Sequence, residues 1–600
     1  MKLGIQIGIT SGCAFFDKGK VLFAASEERY SNVKNDTLFP YKAIEDGIKF
    51  LGITPKEIEK VILISEKMSP IHYLVKREAS FSIADYLREQ YQYYKPNLLN
   101  KKKEDYLKVF SDKLKLEGSS KNLYNQTLLA IKNKIHLSNV WNKWRIEEVS
   151  RFLEVNPKDI IIMNHEKSHA AYGYYGSPFR GDDVLIVTFD GFGDEANATV
   201  SEIRDGRLHS LAEYNNFNIG RIYRYITLLL SMKPGEHEFK IMGLAPYASE
   251  YEYKIALEIF SNSYSFSEGK IFPNPELQDH FFYFKERLEG CRFDGIAAGL
   301  QIFTERMVCS LIDYWMNQSK KKRLVLSGGV SLNIKANMEI GKLNVVEDLF
   351  VVGSGGDESL CIGGIFLHEE KFNNKDTITP HPLSNLYLGS EPCENEINNI
   401  LNRLSTVKDD SIIIKKNISS KEVAQLLADG KILGRVVGRM EFGARSLGNR
   451  AILADPRSNE TIKKINKQIK NRDFWMPFTP SILDEDQHNY LDNKKEFIFP
   501  YMSIACHSTE RGQKEIPATL HPADFTARPQ VVTKKDNSLY YNLIYEFKMI
   551  TGVGALLNTS LNLHGYPMVR TPEQALFVFE NSKLDGLILD NNLILRNLNH

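Results

Sequence analysis

The chain has 600 residues, too many for one hydrophobic core, so two or more domains are expected. Its 42% apolar and 25% charged content is ordinary for a globular protein, and a net charge of +1 gives no global field to draw in nucleic acid or an anionic membrane. The six cysteines hold no CxxC pair, which excludes a zinc ribbon; with no secretory segment and no apolar run near the ~20 residues that span a bilayer, a cytoplasmic protein with reduced thiols is expected.

Strand-like runs at Leu3–Gly8 and Lys20–Ala25, joined by a glycine-containing turn, predict a hairpin. From about Glu66 to Val155 the chain becomes rich in Lys, Tyr, Leu and Glu, and apolar residues recur at helical spacing over Tyr106–Leu116 and Leu128–Leu137. This predicts a helical insertion over 66–155, with Lys101–Lys103 as a solvated helix end because Glu104 and Asp105 follow. From Asp159 onward, strands and helices alternate. Ile160–Met163, Val184–Phe189, Leu324–Leu326 and Leu349–Val352 read as buried, largely parallel strands, whose carboxyl ends are where such sheets hold ligands. Residues 371–391, with three asparagines and two prolines, read as a linker between a domain at 1–370 and a domain at 392–600.

Two groups of residues carry chemistry in the first domain. Asn164 is a good N-cap after Ile160–Met163, which places His165 and His169 on one face of the following helix. Asp190 and Asp357 each follow a strand. Two imidazoles and two carboxylates on one sheet edge would make a mixed N/O metal site with open positions, suited to Fe(II), Mn or Zn. Glycine clusters at Gly191–Gly193, Ser327–Gly329 and Gly353–Gly356 share that edge and predict a nucleotide, because backbone N–H groups in such loops cradle phosphates. Lys240, in an otherwise apolar run, reads as either a snorkelling lysine or an anion contact.

The second domain carries GRMEFGARSLGNRAILADPR, with Arg439, Arg445, Arg450 and Arg457 against one glutamate and one aspartate. Guanidinium forks and glycine-rich backbone together predict an anion site for a nucleotide or acyl phosphate. Lys470 and Arg472, then Arg528, add cations, and Asn558, Thr559, Ser560 and Asn562 follow a strand-like run. These residues predict an electropositive cleft.

At this point the chain resembles the ATP-dependent O-carbamoyltransferases of antibiotic and nodulation-factor biosynthesis. The motifs that carry the resemblance are ASEERYSNVKNDTLFP, NHEKSHAAYGYYGSPF, FDGFGDE, FKIMGLAPY, LSGGVSLNIKAN, GDESLCIGG, GRMEFGARSLGNRAILADPR, FTARPQ and LLNTSLNLHGYPMV. The resemblance implies an α/β protein. Its N-terminal domain would have the actin-like ATPase/sugar-kinase fold, and its C-terminal domain would be similar to threonylcarbamoyl-adenylate synthase. It further implies that carbamoyl phosphate and ATP, with Mg, give carbamoyl-adenylate and pyrophosphate in the C-terminal domain. The carbamoyl group would then pass to a hydroxyl of a sugar or natural-product acceptor in the N-terminal domain. On that picture His165, His169, Asp190 and Asp357 hold an iron-type metal. Arg439, Arg445, Lys470, Arg472, Arg528, Asn558 and Ser560 bind carbamoyl phosphate and ATP, with Arg439, Lys470 and Arg528 catalytic. Lys34, Gly193, Lys240, Gly328, Gly329 and Asn333 stand on the N-terminal nucleotide and acceptor side.

The chain departs from the family in two places. Ile9–Thr10–Ser11 stands where the family carries a His-Asp-Ser triplet, and Met476 stands where an arginine is common. Asp194, Glu236 and Glu238 are candidate general bases by position. A nucleotide-binding paralogue without transfer activity, or an enzyme acting on tRNA, would fit the same motifs; the near-neutral charge speaks against tRNA. A homodimer is a further expectation, through the helical insertion.

Overall fold

Three strands, β1 (Lys2–Gln6), β2 (Gly12–Asp17) and β3 (Lys20–Ser26), open the chain as an antiparallel meander, one strand more than the expected hairpin. β2 carries no alternating signal because Gly12 through Phe16 are all buried, and a strand covered on both faces loses its period of two. β4 (Lys60–Ile64) pairs parallel to β1, and β5 (Ile160–Met163) pairs parallel to β4, giving the order β3-β2-β1-β4-β5. The pattern then repeats. β6 (Val184–Phe189), β7 (Ala198–Arg204) and β8 (Arg207–Tyr214) form a second meander, and β9 (Tyr264–Ser267) and β10 (Lys270–Pro273) form a separate hairpin. β11 (Arg323–Ser327) and β12 (Asp348–Val351) add in parallel beside β6, for the order β8-β7-β6-β11-β12. One topology used twice in succession is the duplicated architecture of the actin-like ATPase and sugar-kinase fold.

In this computed structural model, residues 1–114, 116–372, 379–406, 411–470 and 472–597 are described. They fall into two compact units, Met1–Glu28 with Asn35–Leu383, and Arg29–Lys34 with Ser384–His600. Part of the expected linker, 373–378, lies outside the described residues. The stretch after it belongs to the first unit: the His381 N–H donates to the Gly19 carbonyl at 2.7 Å and the Leu383 N–H to that of Gly176 at 3.2 Å. The change of unit is therefore a step at Leu383/Ser384 and not a linker running to residue 391.

Between β4 and β5 the described chain forms only helices and irregular turns. The last α-helix among them, Leu137–Leu153, buries Trp141, Trp144, Arg145, Glu148 and Val149. It is the crossover that any parallel strand pair requires, so the extra material ends near residue 136 rather than 155. A buried ionic network fastens that material to the helix Ile219–Leu229. Both carboxylate oxygens of Glu78 accept from Arg224 Nη2 (2.8 and 2.9 Å); Glu78 also accepts from Tyr86 Oη (3.0 Å) and from Arg77, which in turn pairs with Glu89 (2.7 Å). Glu78→Ala would leave the largely buried Arg224 and the buried Arg77 without this carboxylate. It is expected to cost about 3–5 kcal/mol, read as a lower urea midpoint.

The helix Phe293–Ser319 corrects the expectation that no segment is long and apolar enough for a bilayer: its 27 residues pass by length and composition. Within the unit it is a core helix, with 72% of its most apolar stretch buried. Gly295 allows it close to its neighbour, since a Cβ there would stand 2.2 Å from the Glu252 carbonyl oxygen.

The second unit is also α/β, with one eight-stranded mixed sheet. Its strands run in the order Ile412–Lys415, Asn592–Arg596, Gly586–Leu589, Leu433–Val436, Arg450–Ala454, Ala555–Ser560, Thr479–Leu483 and Gln530–Val532. Ile400, Val436, Ile452, Leu557, Leu576 and Leu587 belong to its buried core. Arg29–Lys34 packs here: the Arg29 guanidinium donates to the Met568 carbonyl at 3.1 Å, and Arg570 lies 4.6 Å from the Tyr30 ring centroid.

Candidate functional site

In the first unit, His165 begins the helix His165–Gly176 directly after β5, capped by Asn164 Oδ1 on the Lys167 N–H at 3.0 Å. One helical turn sets His169 beside it, and the ring centroids are 5.0 Å apart. Asp190 follows β6 and Asp357 follows β12. Both histidine Nε2 atoms lie 3.1 Å from Asp190 Oδ2 and 3.7 Å from Asp357 Oδ1, and one ligand atom from each of the four residues falls within 4.8 Å of the others. Burial works against a charge on either imidazole, yet the Asp357 and Asp190 carboxylates prevail and raise His165 to about 10; His169 is raised as well, mainly by its hydrogen bonds to the two carboxylates. Two nitrogens and two carboxylate oxygens that converge in this way fit a divalent transition metal with open positions.

The surrounding loops are fixed by buried or paired carboxylates. Asp194, a candidate general base, accepts three backbone N–H groups, from Glu66 and Lys67 (2.8 Å each) and from His165 (2.9 Å). It is a loop anchor, not a free base. Glu166 takes the N–H groups of Glu195 and Ala196 on one oxygen. Glu236 is paired with Lys233, and Glu238 accepts from the Gly235 N–H at 2.6 Å, its carboxyl pushed up by burial.

The glycine loops bring backbone to the quartet. Gly328 has φ +89°, and a Cβ there would stand 2.2 Å from the Phe189 carbonyl oxygen; one at Gly329 would stand 3.2 Å from Asp190 Oδ1. Gly193 is as tightly packed, with 2.3 Å to the Ala196 carbonyl oxygen. Asn333 is not open to a ligand: its Oδ1 caps the helix Ile334–Lys342 at the Ala336 N–H (3.0 Å), and its amide exchanges bonds with Gln301. Lys240 is half-buried on the short helix Glu238–Leu244. Lys34, expected on this side, lies in the second unit, where its charge is felt by Lys470.

In the second unit a set of cations converges. Burial, followed by Arg472 and Lys34, holds the Lys470 ammonium well below its usual range; burial with Arg445 pushes Arg472 down to about 10; burial with Arg445 and Arg472 depresses Arg528 strongly. Among the described residues no carboxylate pairs with Lys470, Arg472 or Arg528. Lys470 Nζ is directed by four oxygens, the carbonyls and side-chain oxygens of Ser560 and Asn562. Like charges gathered without a counter-charge are costly, and an incoming polyanion relieves the cost.

Not every predicted arginine joins this set. Arg450 is fully buried and donates to the carbonyls of Val437 (3.3 Å), Gly438 (3.0 Å), Asn449 (3.1 Å), Ser390 (3.4 Å) and Arg570 (3.2 Å). Arg457 is paired with Asp455 at 2.7 Å. Arg439 donates to the carbonyls of Leu388 (2.6 Å) and Gly389 (3.0 Å), and the charge it feels is that of Glu391. Residue type alone did not distinguish guanidiniums spent on backbone or on a carboxylate from those that have no carboxylate partner among the described residues. Glu441 shapes this loop: it is 1% exposed, and one oxygen accepts the N–H groups of Leu447 (2.8 Å), Asn449 (2.8 Å) and Arg450 (3.1 Å). Asn558 is fully buried behind the loop, its amide donating to Ser446 O (3.2 Å) and Ser481 Oγ (3.1 Å), so it supports the site instead of lining it.

The chain thus combines a duplicated actin-like unit bearing a His₂Asp₂ quartet with an α/β unit in which no carboxylate among the described residues pairs with Lys470, Arg472 or Arg528. Family models for the carbamoyltransferase N-terminus and C-terminus match residues 2–365 and 424–596, and the chain belongs to the carbamoyltransferase family, a family of transferase enzymes. It is similar to an uncharacterized protein of Methanocaldococcus jannaschii, with 29% identity over 98% of both chains. It is 30% identical to the nodulation protein NolO of Bradyrhizobium diazoefficiens, over 71% of this chain and 78% of that one. It is 27% identical to a 3'-hydroxymethylcephem-O-carbamoyltransferase of Amycolatopsis lactamdurans, over 44% of this chain and 47% of that one.

Proposed function

We propose that the chain is a cytoplasmic O-carbamoyltransferase that makes carbamoyl-adenylate in its second unit and transfers the carbamoyl group in its first. The observation that carries this reading is the cation set Lys470, Arg472, Arg528 and Arg445, which lacks neutralising carboxylates on Lys470, Arg472 and Arg528. Atom balance requires water: cleavage of carbamoyl phosphate gives carbamate and phosphate, and a carbamate oxygen attacks the α-phosphorus of ATP as pyrophosphate leaves. The arginine forks bind the phosphate oxygens and stabilise the charge that grows on the leaving pyrophosphate, while Lys470, aimed by Ser560 and Asn562, offers a point charge. In the first unit a hydroxyl of a sugar or natural-product acceptor attacks the carbamoyl carbon, AMP leaves and the hydroxyl proton is lost to solvent. An Fe(II), Mn or Zn ion held by His165, His169, Asp190 and Asp357 would supply positive charge for the nucleotide phosphate. Gly193, Gly328 and Gly329 bring main-chain atoms to the same place, and an intermediate kept from water escapes hydrolysis.

The test is pyrophosphate release from ATP. Release that requires carbamoyl phosphate supports the reading, and none with both substrates present refutes it. A second expectation follows from the depressed cations. Buried beside Arg472 and Lys34, Lys470 holds its proton less tightly than usual, and an anion beside it restores that proton, so the bound form carries more protons. Phosphate-analogue binding should therefore tighten as pH falls, and its calorimetric heat should depend on the ionisation enthalpy of the buffer.

A further inference from the structure

The two histidines of the quartet are not held alike. His169 Nδ1 is buried with no hydrogen-bond partner among the described residues, whereas His165 Nδ1 lies 2.9 Å from Ser65 Oγ. Ser65 is fully buried, follows β4 directly, and has φ +72°, a conformation that costs a serine free energy and persists only where its surroundings impose it.

The Ser65 N–H donates to the Met163 carbonyl at 2.9 Å, which extends the β4–β5 pairing by one residue. The Ser65 carbonyl accepts from Arg145 Nη2 at 2.7 Å, and the same guanidinium donates to the Ile64 carbonyl and to Asn142 Oδ1. Asn142 in turn donates to the Glu66 carbonyl at 2.8 Å. From the other side Asp194 receives the N–H groups of Glu66, Lys67 and His165. The turn after β4 is thus clamped between the crossover helix Leu137–Leu153 and the loop that follows Asp190. Arg145 is fully buried, and its hydrogen bonds run to main-chain carbonyls and an amide rather than to a carboxylate. A buried guanidinium is a poor choice for stability alone, because apolar residues of similar volume serve at least as well.

We infer that Arg145 and Ser65 are positioning residues for the metal quartet: the crossover helix, through Arg145, sets the strained turn at Ser65, and Ser65 Oγ fixes the His165 ring with Nε2 facing Asp190 and Asp357. The inference rests on the reading of the quartet as a metal site. A hydroxyl that accepts from Nδ1–H leaves Nε2 as the ligand nitrogen, and groups behind a metal ligand typically control affinity tenfold to a hundredfold. His165 receives this support and His169 does not, so the effect is specific to one ligand.

The experiment is titration of the full chain with Co(II), followed by its visible absorption, for wild type, Ser65→Ala, Ser65→Gly and Arg145→Lys. Each variant is expected to bind Co(II) about 10-fold or more weakly. Ser65→Gly relieves the positive φ, so its metal-free melting temperature should equal or exceed that of wild type while its affinity falls, a combination that a merely structural role would not give. Ser65→Ala combined with Arg145→Lys should lose no more affinity than the weaker single variant, because both act on one ring. If Arg145→Lys does not fold, the two Ser65 variants decide. Affinity within about twofold of wild type in both would overturn the inference and leave the metal reading standing. No Co(II) binding by wild type would overturn the metal reading and the inference with it.

Discussion

Arg528→Ala should lower the rate of carbamoyl-phosphate-dependent pyrophosphate release by about 10²–10³-fold, while leaving the melting temperature unchanged or higher. The activity loss follows from removing a donor aimed at developing phosphate charge. The stability change has the opposite sign because Arg528 has no carboxylate partner among the described residues and stands in the field of Arg445 and Arg472. Its removal relieves like-charge repulsion, and such a trade of stability against activity marks a site selected for function. Arg450→Ala should behave otherwise. Arg450 is stitched to five carbonyls, and its loss would lower stability along with activity. Thermal melts beside pyrophosphate assays on both variants distinguish the two kinds of arginine.

The second large effect concerns the quartet. His165→Ala/His169→Ala removes both nitrogens of a site whose remaining donors are two carboxylates, and the purified variant should contain no stoichiometric transition metal. Carbamoylation of an acceptor should fall at least about 100-fold, while pyrophosphate release, assigned to the second unit, persists. Metal analysis with the two partial reactions measured side by side checks this. Loss of pyrophosphate release together with transfer would contradict the division of labour.

The parts of this arrangement differ in how far they could be read from the chain alone. β5 and β6 were legible to the residue, at Ile160–Met163 and Val184–Phe189, because each is a short apolar run ended by a turn. The four residues the structure gathers within 4.8 Å were legible because two lie one helical turn apart and the others end strands. β2 was illegible because burial on both faces erases alternation. Lys34 was misplaced since nothing local shows that six residues, Arg29–Lys34, cross to the second unit between two stretches of the first. Arg450 and Arg457 resembled ligand groups because a guanidinium bound to backbone or to Asp455 has the same letter as one presented to phosphate. Ser65 and Arg145 gave no signal: each acquires meaning only from partners 80 to 100 positions away.

The measurement that bears most directly on the central claim is rapid quenching of the His165→Ala/His169→Ala variant with ATP and carbon-labelled carbamoyl phosphate. The expected result is label that accumulates as carbamoyl-AMP, in step with pyrophosphate, and does not reach an acceptor. Label that never appears on AMP, in this variant or in wild type during transfer, would contradict the account.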